Sequence, residues 1–162
     1  MENEQELFSQ YRDNTNFVVA GFSYGSIKAI EYALSTNVRI DKIQLFSPSY
    51  FNDKDTKYKR MQLIFFKKDK LKYSYNFLKN CGFSEDMSGK YSKLGKAKEL
   101  DELLNYKWSE DKLIEIVNKG INIEVFLGAN DLIINSQEAL EFFKKFGEVY
   151  YLKNRGHILR TI

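Results

Sequence analysis

Phe17-Val18-Val19-Ala20-Gly21-Phe22-Ser23-Tyr24-Gly25-Ser26-Ile27-Lys28-Ala29-Ile30 is the stretch that decides the fold of this 162-residue chain. Residues 17–22 form a short apolar run, the pattern of a buried strand. Beyond it Ile27, Ala29, Ile30, Ala33 and Leu34 fall at helical spacing. The unit is strand, tight turn, helix, and the turn holds Gly21-Phe22-Ser23-Tyr24-Gly25. Gly-x-Ser-x-Gly has a chance probability of about 4% in a chain of this composition, so its setting must decide its meaning. A strand ends at the motif and a helix begins in it, the setting that presents a serine hydroxyl at the carboxyl edge of a sheet. Crowding at so sharp a turn favours glycine at the flanking positions.

Outward from this unit, Lys42 to Phe46 reads as a second strand, closed by Ser47-Pro48. Proline disfavours helix at the residue before it. Residues 55 to 118 show no strand pattern and hold amphipathic stretches at about 57–68, 70–80, 98–106 and 109–119. Ser84 to Gly95 reads as a loop. Sheet character returns over 121–127, a helix follows over 136–146, and 148–152 is the last strand. The order β-α-β, helical insert, β-α-β predicts an α/β fold with a central parallel sheet. One domain spanning 1–162 is expected, with the insert at about 55–118 as a helical cap rather than a second domain.

A serine hydroxyl is a poor nucleophile until a base takes its proton. The single histidine, His157, follows the last strand by a short loop and so lies at the same sheet edge as Ser23. Histidine is the common general base, although a lone one is more often an ordinary surface or core residue. A carboxylate should hold its ring in the right tautomer. Asp131 directly follows strand 121–127, with one helix and one strand between it and His157. Its rivals are helix capping by Asp131 itself, and Asp101 and Asp111, which fall in the helical insert. The order Ser23, Asp131, His157 is that of α/β hydrolases. Together these residues point to acyl transfer, with the amide of Tyr24, at the start of the helix, facing the developing oxyanion.

Composition narrows the remaining classes. One histidine and one cysteine, Cys81, cannot assemble a zinc site of ordinary spacing, and no nucleotide-binding glycine motif occurs. No metal or cofactor is expected. A lone cysteine fits a reducing compartment. No apolar run reaches the ~18 residues of a membrane helix, and the polar, acidic N-terminus is unlike a signal peptide. A cytoplasmic protein without membrane contact is expected. Aromatic residues make up 15% of the chain, which suits either a ring-lined pocket or compositional bias. The net charge is +3, yet residues 57–72 hold seven basic side chains and one acid. That excess reads either as a solvated face or as a surface for an acidic partner. Nucleic acid is disfavoured by the low overall charge and the lack of a recognition motif.

The stretch from Gly21 to Ala33, with Leu45-Phe46-Ser47-Pro48, Lys59-Arg60-Met61-Gln62-Leu63, residues 100–107 and Ile123 to Gly128, resembles the BioV-type pimeloyl-[acyl-carrier protein] methyl ester carboxylesterases. The resemblance runs along nearly the whole chain and implies a small α/β-hydrolase with a helical cap. It implies hydrolysis of the methyl ester of pimeloyl-ACP to methanol and pimeloyl-ACP in biotin biosynthesis, with Ser23, Asp131 and His157 at the triad positions. Acyl carrier protein becomes the expected partner, with Lys59, Arg60, Lys67 and Lys68 as its candidate contacts. Cap aromatics Phe65, Phe66, Tyr73 and Phe77 are candidates to line an acyl channel, or simply core. Members of that family begin with a further strand and a Gly/Phe-rich loop, which supplies a second oxyanion amide in this fold. The expectation is a native start upstream of Met1. A broad-specificity carboxylesterase or thioesterase, and a non-catalytic hydrolase-like binding protein, remain the alternatives.

Overall fold

The computed structural model describes residues 6–84, 87, 91 and 93–161. Four strands, β1 (Val18–Phe22), β2 (Lys42–Phe46), β3 (Asn122–Gly128) and β4 (Glu148–Leu152), form one sheet in the order β1-β2-β3-β4. Every pair is parallel, with Phe22 opposite Phe46, Phe46 opposite Phe126 and Phe126 opposite Tyr150. Parallel neighbours need crossovers. Here these are α1 (Tyr24–Ser35), a helical segment comprising α2 (Thr56–Lys68), α3 (Lys70–Cys81), α4 (Ala97–Asn105) and α5 (Glu110–Asn118), and finally α6 (Ser136–Phe143).

Side chains alternate across a strand, so the sheet has two different faces. Ile43, Leu45, Ile123, Val125 and Leu127 point to one face, where Ile27 and Ile30 of α1, Leu113 and Ile116 of α5, and Ala139 and Phe143 of α6 cover them. α5 lies within the span expected as a cap, yet it packs on the sheet. Phe22, Phe46 and Phe126 point to the other face, against Leu7, Phe8, Phe83, Ile158 and Leu159. Their rings form a ladder. Phe8 stacks on Phe46 at 4.7 Å, Phe46 on Phe126 at 5.0 Å and Phe126 on Tyr150 at 4.6 Å. Part of the aromatic content is thus packed across this face of the sheet, worth roughly 0.5–1.5 kcal/mol per ring pair beyond burial.

Local chemistry sets the helix ends. Asp55 and Asp69 accept hydrogen bonds from the Tyr58 and Lys72 amides and cap α2 and α3, and Asn135 accepts from the Glu138 amide to cap α6. Gly82, at φ 95°, ends α3 in the left-handed region. The periodicity of 136–146 predicts a longer α6 than is observed. The chain turns at 144–146 because Gly147 lies against β3, where a Cβ would come 2.2 Å from the Ile123 carbonyl oxygen. Half of the expected loop over 84–95 falls outside the described residues, and Met87 and Tyr91 within it are helical. Met1 to Gln5 also lie outside them. Among the described residues no helix is long and apolar enough to cross a membrane.

Candidate active site

Strain marks the carboxyl edge of the sheet. Ser23, Ser47 and Asn154, which follow β1, β2 and β4, have φ of 49°, 41° and 56°. Such values in non-glycine residues cost roughly 1–3 kcal/mol and persist only where surroundings hold them. At Ser23 the surroundings are visible. Its amide donates to the Phe46 carbonyl, and its carbonyl accepts from the amides of Ser26 and Ser49 and from Ser49 Oγ. Ser49 is held in turn, its carbonyl accepting from Trp108 Nε1 at 3.0 Å. The buried Ser26 hydroxyl donates to the Gly21 carbonyl at 2.9 Å, tying α1 back onto β1.

Only one of the two motif glycines is sterically required. A Cβ on Gly21 would lie 2.4 Å from the Gly25 carbonyl oxygen, whereas a Cβ on Gly25 would meet nothing within 4 Å. Crowding falls on the strand side of the turn alone. A third glycine, which motif reading passes over, is as tightly placed. A Cβ on Gly128, the last residue of β3, would lie 2.3 Å from the Gly156 carbonyl oxygen. That close approach seats the loop 153–157 beside the end of β3, where the Asn130 amide donates to the Arg155 carbonyl.

The structure brings Ser23, His157 and Asp131 together. Ser23 Oγ lies 3.1 Å from His157 Nε2, and His157 Nδ1 lies 2.7 Å from Asp131 Oδ2. An ionised carboxylate can only accept, so Nδ1 carries the proton and Nε2 is left to accept from the Ser23 hydroxyl. Asp131 Oδ1 accepts from the amides of Ile133 and Ile134 at 2.7 and 3.2 Å, which fixes the carboxylate. The same carboxyl therefore organises its own loop and orients the ring. Both the His157 and Asp131 side chains are fully buried, and Ser23 keeps 9% exposure. Phe22 lies against the imidazole at 5.2 Å. Asp101 is exposed and hydrogen-bonded to Asn105, and Asp111 sits in the first turn of α5; neither approaches His157.

Tyr24 follows Ser23 and opens α1. Its side chain turns to the helical segment, where its hydroxyl donates to Glu102 of α4. Lys28 stands over its ring at 4.7 Å and 3.6 Å from Glu102. Burial and this bond push the Tyr24 phenol above its ordinary range, while the same bond holds Glu102 below its own. Glu31 forms a second link, accepting from Tyr106 and from Lys112, each at 2.6 Å. Neither link is legible in the sequence, since the partners are 74 or more positions apart. Cys81 is buried, and burial together with the charge of Asp131 pushes its thiol well above the ordinary range. Ser47 Oγ is buried without a hydrogen bond among the described residues.

A cleft of about 500 Å³ lies between α2, α3 and α4, with Leu132 and Ile133, which follow Asp131, also on its lining. Phe65, Tyr73 and Phe77 line it, whereas Phe66 is buried beside it and meets the edge of the Tyr73 ring. The Tyr73 hydroxyl donates to Gln62, and burial pushes its phenol up to about 12, so it stays neutral. Ser23, Tyr24 and His157 do not line this cleft. Lys59 is half-buried on α2, Arg60 and Lys67 are exposed, and Lys68, also exposed, is on the lining of the cleft.

No protein-family model and no curated protein sequence matches the chain. Solved structures do. An esterase from Exiguobacterium antarcticum superposes with a TM-score of 0.70 at 17% identity, over 94% of this chain and 63% of that one. A bromoperoxidase from Bacillus anthracis gives 0.70 at 18%, over 95% and 64%. The carboxylesterase CesB from Bacillus subtilis gives 0.56 at 14%, over 95% and 57%. The chain has the α/β-hydrolase fold. It spans under two thirds of the length of each of these structures.

Proposed function

We propose that this α/β-hydrolase chain acts as a serine carboxylesterase, with Ser23 as nucleophile. The observation that carries the reading is the continuous hydrogen-bonded line from Ser23 Oγ through His157 to Asp131. His157 Nε2 takes the hydroxyl proton as Ser23 attacks an ester carbonyl, and Asp131 stabilises the resulting imidazolium. The Tyr24 amide, at the first position of α1, has no partner within the helix and faces the oxyanion. His157 then protonates the leaving alcohol, and water resolves the acyl-enzyme by the same relay. Names among the structural neighbours, esterase and carboxylesterase, support an ester substrate.

The finer reading is the methyl ester of pimeloyl-ACP, hydrolysed to methanol and pimeloyl-ACP in biotin biosynthesis. It rests on the resemblance of the elbow and its following helix. It gains support from the seven basic residues of 57–72. None lies within 4 Å of a carboxylate among the described residues, whereas Lys28, Lys42, Lys54, Lys98, Lys112, Lys119, Lys144 and Lys145 all do. Cations without carboxylate partners suit an acidic protein such as acyl carrier protein, with Lys59, Arg60, Lys67 and Lys68 as contacts. The test is hydrolysis of pimeloyl-ACP methyl ester beside free dimethyl pimelate. Faster turnover of the carrier-bound ester, lost in Ser23→Ala, supports the reading. Equal rates argue for a broad-specificity esterase, and equal activity of Ser23→Ala rejects the nucleophile.

A further inference from the structure

The start of α1 lacks the usual means of holding a first turn. Ser23 occupies the N-cap, but its hydroxyl lies 3.1 Å from His157 Nε2 and makes no bond to the amides of the helix. The first turn contains no acidic residue, so no carboxylate of its own complements the helix dipole. Gly25 is the second helical residue, with no atom within 4 Å of the place a Cβ would take. A helix start without a side-chain cap and with an early glycine is prone to fray. Yet the Tyr24 amide in this turn is the group that faces the oxyanion.

Beyond Ser23, two side chains of the turn reach out of it. The Ser26 hydroxyl donates to the Gly21 carbonyl at 2.9 Å. The Tyr24 hydroxyl donates to Glu102 of α4, and Lys28 stands 4.7 Å over the Tyr24 ring and 3.6 Å from Glu102. A carboxylate acceptor makes this the stronger class of hydrogen bond. The same trio of residue types recurs along the helix. Tyr106 donates to Glu31 at 2.6 Å, and Lys112, 2.6 Å from Glu31, stands 4.6 Å over the Tyr106 ring. Tyr24, Lys28 and Glu31 fall at i, i+4 and i+7 on one face of α1. The second trio joins α1 at Glu31, two turns from the elbow. The first ends on the residue beside the nucleophile.

We propose that Glu102 is a positioning residue for the Ser23 reaction: by holding the Tyr24 phenol it fixes the first turn of α1, and with it the amide that meets the oxyanion. The proposal rests on the esterase reading above and adds to it a residue of the helical insert. Glu102 acts through Tyr24 rather than on the reacting atoms. Its loss therefore displaces the amide without removing it, and costs about tenfold in kcat rather than the about 10²–10³ that follows loss of an oxyanion donor.

Hydrolysis of p-nitrophenyl butyrate by the wild type, Glu102→Ala, Glu102→Gln, Tyr24→Phe and Glu31→Gln tests this. Glu102→Ala should lower kcat about tenfold and leave KM within about twofold, since the tether serves the transition state and not substrate binding. Affinity for trifluoromethyl hexyl ketone, whose hemiketal with Ser23 carries the oxyanion, should fall by the same factor. Tyr24→Phe should match Glu102→Ala, and the double variant should be no worse than either. Glu102→Gln keeps an acceptor oxygen and should recover most of the loss. Amide exchange over 23–28 should quicken in Glu102→Ala and Tyr24→Phe. Glu31→Gln loosens the second trio alone and should leave kcat within about twofold of wild type. The proposal is overturned if Glu102→Ala keeps wild-type kcat, if its defect lies in KM, if amide exchange over 23–28 is unchanged, or if Glu31→Gln lowers kcat as much. Those failures occur in a wild type that reacts with a fluorophosphonate. A wild type inert to that reagent would instead reject the esterase reading, and this proposal with it.

Discussion

Gly128 and Gly156 touch backbone to backbone: a Cβ on Gly128 would lie 2.3 Å from the Gly156 carbonyl oxygen and 2.4 Å from that of Arg155. Neither is the end of a flexible side chain, so an added methyl must move the loop, and His157 is its next residue. Displacement of a catalytic group by about 1 Å can reduce turnover about 100-fold. Gly128→Ala is therefore expected to stay folded by circular dichroism and to lose about two orders of magnitude in kcat/KM on a short ester. Activity near wild type would show that the loop tolerates the shift.

Gly25→Ala supplies the opposite case. The position is open and helical, and alanine is favoured over glycine inside a helix by about 1 kcal/mol. The urea midpoint of this variant should equal or exceed that of the wild type. A lower midpoint would mean that the second motif glycine is under a constraint the geometry does not reveal.

Cys81 should be chemically silent while the protein is folded. The thiolate is the reactive form, and both burial and the nearby Asp131 charge oppose it. At pH 8, a thiol reagent such as dithiobis-nitrobenzoate should label the chain only after denaturant is added. Rapid labelling of the native protein would contradict the buried position.

Glu31 joins α1 to Tyr106 and to Lys112 of α5. Burial by itself would raise its carboxyl; the bonds from Lys112 and Tyr106 outweigh that and hold it below its usual 4.5. A lowered folded-state value means that the contribution is complete above 4.5 and is lost as pH falls through the folded value. Lys112 and Glu31 are partly exposed, which limits the effect to about 0.5–1 kcal/mol. Glu31→Gln should lower the urea midpoint at pH 7, with the gap narrowing as the pH falls below 4.5. A gap that does not change with pH would remove the carboxylate from the account.

Charge reversal of Lys67 and Lys68 should slow hydrolysis of the carrier-bound ester severalfold and leave the free diester unchanged, mainly through association that weakens with salt. An equal fall on both substrates would place these residues in the fold rather than on a docking face.

The sheet was readable in the sequence because each strand is a short apolar run set between helical periods, as at 17–22 and 42–46. The site was readable because Ser23, Asp131 and His157 each follow a strand of one parallel sheet, and parallel strands deliver their ends to one edge. What could not be read depends on distance in the chain. Gly128 matters through a backbone contact with a loop nearly thirty residues later. Glu102 meets Tyr24 across 78 positions, and Ser49 steadies Ser23 across 26. Lys72 joins Lys68 on the lining of the cleft only because the chain breaks between α2 and α3 at Asp69, a pairing that a charge count over 57–72 does not separate from the rest.

The central claim, that His157 and Asp131 make Ser23 a nucleophile, is tested most directly by intact-mass spectrometry after treatment with a fluorophosphonate. The account predicts one adduct per chain, mapped to Ser23, absent in Ser23→Ala and slowed by orders of magnitude in His157→Ala. No adduct on the wild-type protein, or an adduct that persists undiminished in Ser23→Ala, would contradict it.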